Sequence, residues 1–229
     1  MNDVHSKPIE QRIAWLEALA GRHGEAYRSP EAMLARTRYQ SRHPTAIAVL
    51  KCMDGRINIP VATGTPVGIL MPFRNLGGRF DLGWPHLGEV LTQYVMDRVH
   101  EGRQVLFLVT YHFSRGDHHR GCAGFGYDQQ AAFEHTQAIH QQISTIFGAG
   151  HGTVYPLICG FETDEDALIV NPGDSIAAGD RVTVRPRAVD PAKPAEAGKP
   201  ADGGKAAGQR FGGGKRAVLD QYIGVLLTF

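Results

Sequence analysis

Cysteine is scarce in this chain, with three among 229 residues, and tryptophan scarcer still, with two. So few thiols, odd in number, exclude a disulfide framework. Met1 to His23 mixes charged with apolar residues and shows no export signal, so reduced cysteines in a cytoplasmic, soluble protein are expected. Long apolar runs are missing as well. None reaches the roughly 18 residues that span a bilayer, which speaks against a membrane protein. Charge of one sign is also absent: the formal net charge is +1, and no basic block lies in the folded-looking part. Nothing in that balance supports a nucleic-acid or anionic-membrane partner, so the expected partner is a small molecule. What the chain does have is 42% hydrophobic composition, enough for one sizeable core.

The apolar pattern predicts an N-terminal helical arm over residues 1–44, an α/β domain over 45–189, a flexible Gly/Ala/Pro/Lys-rich insertion over 190–216, and a strand over 217–229 that rejoins the core as an antiparallel edge. In the arm, Ile9, Ile13, Leu16 and Leu19 recur at helical spacing after Ser6 and Pro8. A helix ending near Gly21 or Gly24 is expected, and a second from Pro30 to about Arg38. The domain alternates short apolar runs with helical patterns. Strands are expected at Thr45–Cys52, Val67–Phe73, Val105–Tyr111 and Thr153–Gly160, and helices at Leu87–His100 and Gln129–Phe147. Such alternation implies a mainly parallel central sheet flanked by helices, with ligands beyond the carboxyl ends of its strands.

Chemistry-bearing residues gather at those ends. Cys52 closes the first strand, and Asp54 and Arg56 follow at alternate positions, which share a face in extended chain. The third strand runs into His112, and the segment to Cys122 also holds Asp117, His118 and His119. Two cysteines from different strand ends plus one histidine make a three-ligand zinc site with the fourth position open, as in catalytic rather than structural zinc. Water there becomes a nucleophile near neutral pH. Cys159 ends an apolar run and reads as a buried core thiol.

Cys52-x-Asp54-x-Arg56, then Phe73-Arg74-Asn75-Leu76-Gly77-Gly78, then a strand ending in histidine and Cys122-Ala-Gly resemble the three signature segments of β-class carbonic anhydrases in their usual order. The long excursion between His112 and Cys122, and Thr163-Asp164-Glu165-Asp166-Ala167, resemble the carboxysome shell carbonic anhydrase branch more closely. The resemblance implies a Zn2+ enzyme that reversibly hydrates carbon dioxide to bicarbonate. Its ligands would be Cys52, Cys122 and a histidine. Asp54 would accept a hydrogen bond from zinc-bound water or hydroxide while Arg56 holds it, or, as in some members, would itself close the fourth position.

Two histidines compete for the ligand role. His119 matches the common His-x-x-Cys spacing, whereas the shell branch uses the histidine directly after the strand, here His112. His112 is preferred because a strand end aims a ligand rigidly, while His119 sits on a polar loop. His118 is expected to be solvated, as is the acidic cluster of Asp164 and Asp166, with Thr163 marking a cap or turn. Arg74 and Asn75 are weighted toward structure and Trp84 and Pro85 toward packing; the glycine pair reads as a turn, or, as the resemblance implies, lets backbone approach the site. A homodimer or higher homo-oligomer is implied, with carboxysome association as one location. The competing functions are a carbon disulfide or carbonyl sulfide hydrolase on the same scaffold, and a non-catalytic zinc-stabilised interaction module.

Overall fold

The computed structural model describes residues 4–148, 152–165, 167–171 and 182–184. Two helices lead in, α1 (Ile9–Arg28) and α2 (Pro30–Arg42). Expected to stop near Gly21 or Gly24, α1 runs through both. An interior glycine costs only about 1 kcal/mol, whereas a proline restricts the residue before it to extended conformations. Ser29, before Pro30, has φ −58° and ψ 149°, and its hydroxyl accepts from the Ala32 N–H to cap α2. The same rule lengthens α2 beyond Arg38, since the chain turns extended only at His43, before Pro44.

Among the described residues the sheet has six strands, in the order β2-β1-β3-β4-β5-β6. They are β1 (Ala46–Cys52), β2 (Met71–Asn75), β3 (Val105–Phe113), β4 (Val154–Glu162), β5 (Ala167–Asn171) and β6 (Val182–Val184). The first four are parallel and the last two antiparallel. Every residue of β1 and β3 is buried, which is why both read as nearly continuous apolar runs. Alternation along them feeds two cores. Ile47, Val49, Leu106 and Leu108 face one, with Tyr39 of α2 and with Ile59 and Ala62 of α3 (Ile59–Thr63). Ala48, Leu50, Phe107 and Val109 face the other, under Leu91 and Val95 of α4 (Pro85–His100) and Ile139 and Ile143 of α5 (Gln129–Phe147). Each buried Val, Leu, Ile or Phe among them contributes about 1.5–3 kcal/mol, so much of the packing energy gathers around the two central strands.

Some expectations shift. The second strand begins at Met71, not Val67, because Ile69 N–H donates to the Pro66 carbonyl and spends that stretch on a turn. Arg74 and Asn75 therefore lie inside β2, with Asn75 in register with Cys52. The third strand extends past His112 to Phe113. α3, β5 and β6 were not anticipated, and β5 and β6 supply the antiparallel edge. The expected edge strand at 217–229, the insertion at 190–216 and Asp166 lie outside the described residues. Trp84 and Pro85 are exposed rather than packed: Trp84 is 48% accessible and lines a surface cleft with Arg79 and His135.

Candidate functional site

The carboxyl ends of β1 and β3 are neighbours, so the chain that leaves each strand meets the other. Cys52 (6% exposed) closes β1, His112 (1%) lies near the end of β3, and Cys122 (2%) returns from the following loop. The Cys122 thiol is within hydrogen-bonding reach of Cys52, and this contact, helped by His112 and the Asp54 backbone, pushes the Cys52 thiol well down. The same contact and burial push Cys122 up. His112 interacts with Cys52, yet neither of its ring nitrogens has a geometrically sound hydrogen bond.

Gly78 makes this approach possible. Its φ is +72°, and a Cβ there would stand 3.2 Å from the Cys122 sulfur and 3.6 Å from the Cys52 Cβ. Gly77, at φ +76°, is pressed to the Gly124 backbone, which a Cβ would meet at 2.6 Å. The glycine pair after β2 thus seats backbone directly against both cysteines. Beside Cys52, the Asn75 side-chain oxygen is buried without a hydrogen bond.

Asp54 and Arg56 form a two-pronged pair: Arg56 Nε donates to Oδ1 at 3.0 Å and Nη2 to Oδ2 at 2.5 Å, while the Arg56 N–H caps Oδ1 at 2.9 Å. The guanidinium holds the Asp54 carboxyl below the usual range and is itself raised by it. A lysine that sequence reasoning passed over supports this loop. Lys51, 4% exposed, donates to the Ile57 carbonyl, and burial pushes its ammonium down. One lysine in an otherwise apolar strand was the available signal.

The loop from Ser114 to Gly121 carries the other histidines. His119 is exposed, with its Nδ1 3.4 Å from Asp117 Oδ1, and His118 stands beside it, so neither joins the buried group. Among the described residues, the group of three or more His, Cys, Asp or Glu side chains whose donor atoms all lie within 4.8 Å of one another is Asp117, His118 and His119. The donors of Cys52, His112 and Cys122 are not drawn that close together. The acidic segment, with Asp164 exposed as expected, also fastens this loop. Asp164 accepts from Ser114 Oγ (2.7 Å), Gly116 N (2.9 Å) and Arg120 Nη1 (2.8 Å), which lowers its carboxyl, and buried Glu162 accepts from Arg115 N. Thr163 N–H donates to the Phe113 carbonyl at 2.9 Å. Cys159 is fully buried, as expected, and its thiol is pushed up to about 12.

Residues 88–184 match the family described as the carboxysome shell carbonic anhydrase catalytic domain, a stretch that holds His112 and Cys122 and begins after Cys52, Asp54 and Arg56. This part of the chain is similar to the carboxysome shell carbonic anhydrase catalytic domain, and the chain has the β-carbonic anhydrase fold. No curated protein matches it by sequence. Among solved structures, the β-carbonic anhydrase CcaA shares 15% identity at a TM-score of 0.50, over 77% of this chain and 94% of that one. A tetrameric β-carbonic anhydrase from Sordaria macrospora shares 10% at 0.46, over 73% of this chain and all of the other. A carbon disulfide hydrolase shares 13% at 0.33, over 72% of this chain and 94% of that one. Ligand-type residues thus gather at the carboxyl ends of the parallel strands β1 and β3, with Cys52 and His112 still inside them and Cys122 in the loop beyond. No described helix is long and apolar enough to cross a membrane.

Proposed function

We propose that Cys52, His112 and Cys122 hold a Zn2+ ion, and that Asp54, held by Arg56, orients the attacking water in the reversible hydration of carbon dioxide to bicarbonate. The supporting observation is His112, an imidazole 1% exposed with both nitrogens unpartnered. A buried polar ring left unpaired costs on the order of 1–3 kcal/mol, and a metal bond removes that cost. The donor set fits: two thiols, one already acidified, and one imidazole are the ligands of catalytic zinc. Bound zinc supplies a Lewis acid that makes water nucleophilic near neutral pH.

The residues do the rest. Asp54, kept ionised by Arg56, only accepts hydrogen bonds, so it fixes the water's hydrogen and turns its lone pair toward the substrate. Arg56 directs its Nε and Nη2 donors at the two oxygens of Asp54, which makes Arg56 the orienting partner. Residues 45–189 form the catalytic unit. A homodimer or larger assembly is the working form: α1 has no buried residue, and Ile9, Ile13 and Leu16 stand exposed along it. The shell-type match supports association with a carboxysome.

Zinc analysis with stopped-flow carbon dioxide hydration tests this on wild type, Cys52→Ser, Asp54→Ala, His112→Ala and His119→Ala. Cys52→Ser and His112→Ala should lose zinc, and Asp54→Ala should keep zinc and lose rate. Zinc lost from His119→Ala but kept by His112→Ala would reverse the ligand choice. A wild-type protein with about one zinc per chain and no hydration over about pH 6 to 9 would remove the reaction.

A further inference from the structure

We propose that Asp117, His118 and His119 form a second binding site, on the surface, for a divalent cation of the zinc and nickel class. The site is separate from the buried thiolate centre and does not depend on it. Three donors from consecutive residues converge within 4.8 Å. Ligands held about 2.0 Å from one tetrahedral ion stand about 3.3 Å apart, and His119 Nδ1 and Asp117 Oδ1 are already 3.4 Å apart. The His118 and His119 rings lie 3.8 Å apart, centroid to centroid, with a 40° tilt. Two exposed imidazoles at that distance bury little apolar surface, and an ion beside them could be held by both rings.

The backbone holds the donors ready. His118 to Arg120 form a single 3-10 turn, capped by Asp117 Oδ1 accepting the His119 N–H at 3.0 Å. Asp117 N–H donates to Ser114 Oγ, which donates in turn to Asp164, and Arg120 on the far side of the turn is fastened to the same carboxylate. Tyr127 packs edge-on against the His119 ring at 5.5 Å. Little ordering is left for the ion to impose. Donor chemistry sets the class: two imidazoles and one carboxylate suit zinc, nickel, copper or iron(II), whereas calcium and magnesium require a shell of oxygens. Exposure leaves the remaining positions to water. Asp117 also lies within electrostatic range of Arg56, so the site stands near the rim of the Asp54 pair.

The test titrates untagged, full-length protein carrying its as-isolated metal with nickel chloride, by calorimetry and equilibrium dialysis. Wild type should take up one further nickel per chain. A His118→Ala, His119→Ala double variant with an unchanged thermal midpoint should take up none, and Asp117→Asn should bind about tenfold more weakly or worse. No uptake by wild type at millimolar nickel, or equal uptake by the double variant, would overturn the inference. So would loss of the as-isolated zinc from the double variant, which would assign these residues to the catalytic centre. Cys52→Ser keeps the two readings apart: it should lose the as-isolated zinc and still take up nickel. If it keeps that zinc, the ligand set under the proposed function fails and the surface site stands.

Discussion

His112 and His119 lie one loop apart in opposite surroundings. The first is 1% exposed in a fully buried strand, its ring nitrogens without a hydrogen bond; the second has a 66% exposed side chain on a polar turn, already paired with Asp117. A buried imidazole without a partner is under stress until something binds it, and its strand gives it nowhere else to turn. An exposed imidazole has water as an alternative, so whatever binds there competes with solvent and is held weakly. The two regions therefore differ in what they can hold, a tight structural dependence against an exchangeable ion.

The comparison breaks most severely at His112. His112→Ala should reduce zinc from about one per chain to a small fraction and abolish hydration, measured by metal analysis and stopped flow. If the variant keeps its zinc, burial is not what selects the ligand. Next comes Asp54→Asn, which keeps zinc but loses the acceptor-only carboxylate; kcat/KM should drop about 10²-fold or more with the thermal midpoint near wild type. Gly78→Ala probes the closeness of the buried group. A side chain at φ +72°, 3.2 Å from the Cys122 sulfur, should cost about 1–3 kcal/mol and lower zinc retention, read from thermal melts and dialysis against chelator. Equal zinc retention would mean the thiols have room to move.

The smallest effect is expected on the exposed side. Asp164→Asn removes the carboxylate that fastens Ser114, Gly116 and Arg120, so trypsin should cut at Arg115 or Arg120 faster in the variant at neutral pH. The Asp164 carboxyl is held below its ordinary value by these donors, so its stabilisation is fully present above the unfolded value of about 3.9 and lost as pH falls through the lower folded one. The difference in melting temperature between wild type and variant should be constant near neutrality and vanish in strong acid. A gap that persists there would assign it to something other than this charge.

Much of the fold was legible because its signals are local. β1 and β3 read as continuous β-branched and apolar runs, and α4 and α5 showed helical spacing against those strands. The helix ends at Ser29 and His43 were missed, since glycines in α1 drew attention from the prolines that actually stop each helix. β2 was misplaced by a turn that only the Ile69 to Pro66 hydrogen bond reveals. At the site, cysteines, histidine and the Asp54 pair were visible as residue types at strand ends. Lys51, Glu162 and Asp164 were not, because a charged side chain in a linear sequence does not declare which backbone donors will surround it.

Periodicity and neighbours along the chain are enough to set the strand-helix alternation, the order of the chemistry-bearing segments and the Asp54-x-Arg56 spacing. Only the tertiary structure decided that Cys52 and Cys122 meet against Gly78, that His112 is buried while His119 faces water, and that Asp164 clasps a loop fifty residues earlier. Those facts depend on which strands lie side by side, and burial and pairing energies between distant segments exist only once the sheet has assembled.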